Sequence, residues 1–369
     1  MKDNNYEFWE EYLKKLKIEI KELCLQKEKL YIDFHMHSNY SADGKQDLKQ
    51  ILKTTKQKGF DIIAITDHDS IDVYDELYNM VKNRLTKPLI IPGVELTMDN
   101  KEYGNQCHLL QLFINPKDME LIKNVNNNYQ AMFKRSKIQF QRIKENKALQ
   151  EIFKKNNIKV SIKKFFKYLN NNNLIPEYDT LTFYIMDKLK EKGITTFNVL
   201  NLLEKYNDED IYEDRKKYKE VRYKKLKDKY NEVKENYYNS RFLLSMLAVR
   251  EVDDDWWNKP SSGSLSVNSY GQMKVDEITN KYKIFFAHPT EKSLKTVEKI
   301  IKNNKSIIGL EENIRNKYIN INNFYDIISK YNLLRIIGSD SHDSKCTYYK
   351  DMEYYLIDSE YLLYLIEKV

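Results

Sequence analysis

The sequence predicts an α/β protein: a parallel β/α architecture interrupted by a mainly helical insertion. Three observations predict it. From Tyr31 onward, short runs rich in Ile, Leu and Val alternate with segments of helical spacing. The same alternation resumes after residue 283, and the stretch between the two blocks reads as helical. Strands that alternate with helices argue for β/α units and a largely parallel sheet.

In chain order, residues 6–29 carry Trp9, Leu13, Leu16, Ile20 and Leu23 at alternating spacings of four and three, a narrow apolar stripe. That stripe fits a helix docked on the core better than a coiled coil, which needs about four heptads to signal itself. A strand is expected over 31–35, a helix over about 46–58 closed by Gly59, a strand over 61–66 and a helix over 71–84. Strands follow at 89–96 and 107–114. Helices are expected through 117–157 and again over 180–206. After 282 the runs KIFFAH, SIIGLEE and LLRIIGSD read as strands, with helices at 291–303 and 322–331, then YYLI and a closing helix.

At 369 residues with 41% hydrophobic content, the chain is long enough for a real core. Its three cysteines, Cys24, Cys107 and Cys346, form no paired framework and no C-x-x-C, which suggests a reducing compartment. There is no signal pattern and no apolar run of about 18 residues, so a soluble, cytoplasmic protein with no membrane role is expected. The sequence carries no signal for an oligomeric state.

The chemistry is concentrated in the histidines. There are only six, His35, His37, His68, His108, His288 and His342, and each stands at an end of a predicted strand. His35 and His37 alternate on one strand, so both face the same side. Asp43 follows six residues after His37, Glu95 closes IIPGVELT, and Asp340 precedes His342 by two in GSDSH. Six imidazoles and three carboxylates form an N/O donor set suited to zinc, manganese or iron. One ion would not use nine ligands. Shared among two or three divalent ions, they leave positions open for water and substrate. His108 alone opens its run rather than closing it, and Cys107 beside it faces the other side of the strand, toward packing.

The motifs HMHS, ITDHD, a lone His108, and AHP followed by GSDSH occur in that order. In this the chain resembles the PHP superfamily, named from polymerase and histidinol phosphatase, whose members are distorted seven-stranded β/α barrels. The resemblance covers roughly 31–114 and 283–343. It implies a distorted (β/α)7 barrel over 31–114 and 283–369; the apolar stripe adds an N-terminal helix over 1–30, and the 180-residue separation of His108 and His288, longer than in compact family members, is read as a helical insertion over 115–282. It implies that His35, His37, Glu95 and Asp340 hold a first metal. Glu95 would bridge to a second held by His108 and His288, and Asp43, His68 and His342 would hold a third. Asp43, His68, Asp340 and His342 are then the catalytic residues, and Asp67 orients a ligand from behind. Some family members have histidine where Asp43 stands; carboxylate is widespread in the phosphoesterase branch.

The implied activity is hydrolysis of a phosphate ester by metal-activated water, with a nucleotide, a small phosphomonoester or a nucleic acid end as substrate. Arg135 and Arg142, seven apart on one helix face, are candidate contacts for an anionic substrate. Related phosphoesterases often carry an Arg-Pro segment near here; the comparable stretch NNLIPEYDTLTF has no arginine, so the resemblance supplies no such phosphate contact. Arg215–Lys234 holds ten basic residues against three acidic ones, with Tyr223, Leu226, Tyr230, Val233 and Tyr237 as one apolar stripe. That helix reads either as a solvated face or as a contact for nucleic acid. The alternatives to a small-molecule phosphoesterase are therefore a PHP-fold nuclease in nucleic-acid processing or defence, and a non-catalytic binding module that uses the basic helix.

Overall fold

The computed structural model describes residues 4–41, 44–98, 107–172, 176, 180–195, 283–314, 321–342 and 351–369. The backbone divides into two units, 1–128 with 272–369, and 129–271. Asp43, the basic segment Arg215–Lys234 and Cys346 lie outside the described residues. Among the described residues no helix is long and apolar enough to cross a membrane.

The first unit is a curled eight-stranded sheet with β1 (Lys29–Met36), β2 (Ile62–Ile65), β3 (Leu89–Met98), β4 (Cys107–Leu112), β5 (Ile284–Phe286), β6 (Ile307–Asn313), β7 (Leu334–Gly338) and β8 (Leu356–Asp358). The strand order is β7-β6-β5-β4-β3-β2-β1-β8. β1, β2 and β3 run parallel, as do β5, β6 and β7, while β4 is antiparallel to both β3 and β5. The curl brings β1 to the end of β7: Asp340 N donates to His35 O at 2.9 Å and His37 N to Ser341 O at 2.9 Å. Seven strands thus close into the distorted barrel, and β8 is added outside that ring.

Fully buried runs such as IIAI in β2 are what a sheet covered on both faces requires. α1 (Asn4–Gln26) covers one stretch of it, burying Trp9, Leu16 and Ile20, and Tyr12 Oη donates to Ile90 O at 2.8 Å. The docked reading of α1 is the one the structure adopts. α2 (Leu48–Lys58) starts at a reciprocal cap in which Asp47 accepts from Gln50 N, and it ends on Gly59 in the left-handed region at φ 84°. α3 (Val73–Val81) carries Tyr74, whose buried hydroxyl accepts from Gly93 N and lies 2.7 Å from the carbonyl oxygens of Ile65 and Gly93. One side chain therefore ties β2 to β3.

Several expected boundaries shift. β1 begins at Lys29 rather than 31, because Lys29–Tyr31 pair with β8 from the far end of the chain. The helix expected over 117–157 is two: α4 (Met119–Glu145) stops where Asn146 accepts from Leu149 N and caps α5 (Lys147–Lys155). The start of α4 belongs to the barrel unit rather than to an insertion beginning at 115, since Leu121 and Val125 join its core. The helix expected over 180–206 is α7 (Thr180–Lys190), ending near Gly193 at φ 68°. Before it, α6 (Ile162–Asn171) is capped by Ser161. The second unit has a core of its own, including Phe140, Ile143, Phe153, Phe165, Leu169 and Tyr184. α8 (Leu294–Asn303), α9 (Ile321–Tyr331) and α10 (Ser359–Lys368) complete the first unit.

Candidate metal centre

The antiparallel course of β4 explains the one histidine that opens its run. His108 pairs with Thr97 at the far end of β3, so the start of β4 lies where the neighbouring strands finish. His35 and His37 leave β1, His68 follows β2, Glu95 sits on β3, His288 follows β5, and Asp340 and His342 follow β7. Eight of the nine expected ligands are thereby gathered at one end of the barrel, where β/α barrels collect their chemistry. The ninth, Asp43, lies outside the described residues.

Backbone hydrogen bonds between the ligand-bearing segments set their spacing. Asp69 N donates to Glu95 O at 2.9 Å, Glu95 N to Asp67 O at 3.2 Å, and Ala287 N to His108 O at 3.0 Å. His288 and Asp340 hold φ values of 31° and 51°, and Asp69, next to His68, holds 44°. Non-glycine residues pay about 1–3 kcal/mol for such conformations, which persist where surrounding structure dictates them. Here they turn side chains inward at strand ends.

Glu95 is the centre. Its Oε2 lies 2.9 Å from His35 Nε2, 3.1 Å from His37 Nε2 and 3.2 Å from His68 Nδ1. Its Oε1 lies 3.0 Å from both His108 Nδ1 and His288 Nε2. One buried carboxylate is thus divided between two sets of imidazoles. Asp340 Oδ1 stands 3.1 Å from His37 Nε2 and 3.6 Å from His342 Nε2. The His37 and His342 rings stack with centroids 4.3 Å apart.

Donor atoms group within 4.8 Å in three sets: His35, His37, Glu95 and Asp340; His68, Glu95 and His108; and His37, His68 and His342. The first matches the quartet implied by resemblance. In the other two His68 stands between Glu95 and His342, so it is shared rather than confined to one set.

The environment prepares these rings to give up lone pairs. Glu311 Oε1 accepts from His35 Nδ1 at 3.0 Å, and the Asp340 carbonyl accepts from His342 Nδ1 at 2.7 Å. A carboxylate and a carbonyl have no proton to offer, so each Nδ1 carries a hydrogen and each Nε2 is the nitrogen that faces the cluster and that a metal would take once its proton is released. His37 Nδ1 lies 3.0 Å from Ser41 Oγ, which also accepts from His68 N. With N and O donors only, turned toward one another, the set fits a divalent transition metal that displaces the imidazole protons. The cluster is able to hold metal.

Charge follows the same geometry. Burial pushes the Glu95 carboxyl up, but His68, His35 and His108 outweigh it and hold it well below the usual carboxylate range. Burial opposes protonation of His37, yet hydrogen bonds to Asp340 and Glu95 raise it to about 10. His35 is likewise raised against burial by Glu311 and Glu95, and His288 by Glu95. The floor is dry, with His35, His37 and Glu95 at 0% exposure, while the His108, His288 and His342 side chains keep 27, 30 and 18%. The cluster is open on one side.

Two supporting groups, three residues in all, escape a reading of the sequence. Glu311 and Asn313 on β6 form one, the carboxylate accepting from Asn313 Nδ2 at 2.9 Å and from His288 N at 2.7 Å. The other is Asp33, whose Oδ1 accepts from His35 N and Ser339 N and whose carboxyl burial pushes up to about 6. Asp67 accepts from Ser38 N and Ser38 Oγ, both at 2.6 Å, and so fixes the turn after His37. Arg135 is buried in the second unit, donating to Pro176 O at 3.2 Å.

The family model described as the PHP domain matches residues 33–195. That span runs beyond the first strands into the helical unit and stops before the C-terminal strands. An uncharacterized protein of Methanocaldococcus jannaschii is 29% identical over 93 residues, which is 22% of this chain and 50% of that protein. The chain thus spans about half the length of the curated relative it matches. An amidohydrolase from Chromobacterium violaceum is similar in structure with a TM-score of 0.50 at 14% identity, covering 89% of this chain and 98% of that one. A Bifidobacterium adolescentis protein, provisionally named a metal-dependent phosphoesterase, has a TM-score of 0.49 at 14% identity, covering 85% and 88%. The likeness to the Chromobacterium violaceum structure is one of fold.

Proposed function

We propose, from the match of the PHP-domain family model to residues 33–195, that the chain is a PHP-type metal-dependent phosphoesterase. Its substrate is a phosphate ester, as a nucleotide, a small phosphomonoester or a nucleic acid end, and its cofactors are two to three divalent ions of manganese, zinc or iron. The observation that carries this reading is Glu95, whose two oxygens face separate sets of imidazoles 3.0 Å and 2.9–3.2 Å away. A carboxylate so divided suits two neighbouring cations better than one.

His35, His37, Glu95 and Asp340 would hold one ion and His108 and His288 a second through Glu95, with Asp43, His68 and His342 serving a third. Ions at these positions supply Lewis acidity and bring the pKa of water down toward about 7. The protein does the rest. Glu311 and the Asp340 carbonyl keep two rings in the donating tautomer, and the buried floor removes competing solvent. His342, whose side chain keeps 18% exposure, and Asp340 beside it would take part in catalysis as ligands, holding an ion on the side where substrate arrives. A cleaved ester needs no serine or cysteine nucleophile here.

The completeness of the donor set favours an enzyme over a non-catalytic module, and the nuclease alternative uses the same chemistry on a longer substrate. The test is turnover of p-nitrophenyl phosphate and bis(p-nitrophenyl) phosphate by protein stripped with chelator and reloaded with manganese, zinc or iron. Hydrolysis of one of them only in the reloaded protein is expected. A metal-loaded protein that cleaves neither these nor a nucleotide or oligonucleotide panel would overturn the reading.

A further inference from the structure

The second unit contains a cavity of about 590 Å³ built from none of the residues of the histidine–carboxylate cluster. Two helices and a connection converge on it. Lys164, Lys167 and Tyr168 lie on one face of α6, Tyr184 and Lys188 on one face of α7 with Lys192 just past its end, and Lys159 precedes α6. Helical spacing of three and four puts each set on a single side.

Its charge is lopsided. Five lysines line the cavity, and the one lining carboxylate, Glu191, is paired with Lys188. Asp187 nearby accepts from Tyr168 Oη at 2.9 Å. Among the described residues, Lys159, Lys164, Lys167 and Lys192 have no carboxylate within ion-pairing distance. Like charges gathered around one concavity repel each other and focus a positive potential into it. A multiply charged anion is what relieves that repulsion.

The residue types narrow the anion. All the lining cations are lysines, point charges on flexible stems, with no arginine fork to grip a single planar carboxylate. Such a set suits charge repeated along a chain, as in linked phosphates. The volume falls within the range of about 300–1,000 Å³ common for small-ligand sites. The partly buried Tyr168 adds an aromatic wall beside the lysines.

We propose that this cavity binds a ligand carrying two or more phosphate groups. The inference does not rest on the phosphoesterase reading, and its test uses protein stripped of metal so that the two fail separately.

The full chain is titrated calorimetrically with sodium tripolyphosphate, and by fluorescence anisotropy with a fluorescein-labelled oligothymidylate, at low salt. Replacing Lys164, Lys167, Lys188 and Lys192 together with Gln should weaken tripolyphosphate binding by about tenfold or more and, where the oligothymidylate binds, flatten its salt dependence, each lost phosphate contact removing roughly 0.7 from that slope. A matched control that replaces the exposed Lys154, Lys155, Lys163 and Lys190, which do not line the cavity, should stay within about twofold of the parent. Lys192→Gln alone, beyond the helix end, repeats the test with minimal risk to folding and should weaken binding about threefold. Competition by the oligonucleotide would mark strand phosphates as the natural source, and tripolyphosphate binding without it a small oligophosphate. Equal losses in cavity and control variants, no loss in the cavity variants, or a parent that binds neither probe would overturn the proposal.

Discussion

Glu311 Oε1 lies 3.0 Å from His35 Nδ1, on the side of the ring away from the metal-facing nitrogen, while its Oε2 accepts the amide of His288 at 2.7 Å. One carboxylate on β6 thereby positions the His35 ring from β1 and the backbone of His288 after β5. Glu311→Gln keeps the shape and removes the charge that holds His35 in its tautomer. Metal affinity, measured by competition with a chromogenic chelator, should fall about 10–100-fold with the fold retained. Unchanged affinity would show that Glu311 does not orient His35.

Gly338 is what lets that carboxylate approach. A Cβ built there would stand 2.1 Å from Glu311 Oε1 and 2.5 Å from His35 Cβ. Gly338→Ala should therefore cost about 1–3 kcal/mol in urea unfolding, as overpacking does, and should lower metal content as well. Loss of neither would mean the barrel wall yields at this point.

Tyr74 offers a test of the scaffold alone. Its hydroxyl serves the Gly93 amide and lies 2.7 Å from the carbonyls of Ile65 and Gly93, all buried. Tyr74→Phe leaves those groups short of a partner and should destabilise the chain by about 1–3 kcal/mol with metal content per folded protein unchanged. A neutral effect on stability would contradict the tie between β2 and β3.

Metal uptake should be coupled to proton release. Burial opposes charge on His37, but Asp340 and Glu95 raise it from 6.5 to about 10. In the metal-free protein, pairs of this kind stabilise the fold fully below about pH 6.5, and that stabilisation is lost as pH rises toward about 10. Metal needs the neutral ring, so its affinity should rise with pH over the same window. Zinc titrations at pH 7 in buffers of different ionisation enthalpy should show net proton release. An uptake with no proton released would contradict the charge state drawn here.

The cluster was legible because histidine is scarce and stands only at strand ends, so position alone separated His35, His37, His68, His288 and His342 from filler. His108 was legible as a member of the cluster but not in its direction. An antiparallel strand among parallel ones leaves no mark in hydrophobic spacing, and only the pairing of His108 with Thr97 reveals it. Glu311 was hidden by its neighbour. In SIIGLEEN, Glu311 and Glu312 look alike, yet the strand turns Glu311 to His35 and Glu312 outward to Arg335 at 2.8 Å. Which of two adjacent carboxylates faces inward depends on register, and a shift of one residue reverses the answer. The break between α4 and α5 was missed because Asn146 sits within a continuous helical pattern and acts only through its cap.

Elemental analysis of the purified chain after reconstitution with manganese, zinc and iron tests the central claim most directly. The account predicts two to three ions per chain in the parent, falling by at least about one ion in His37→Ala, whose ring stands between Glu95 and Asp340 at 3.1 Å from each. Less than one ion per folded parent chain, or an unchanged content in His37→Ala, would contradict it.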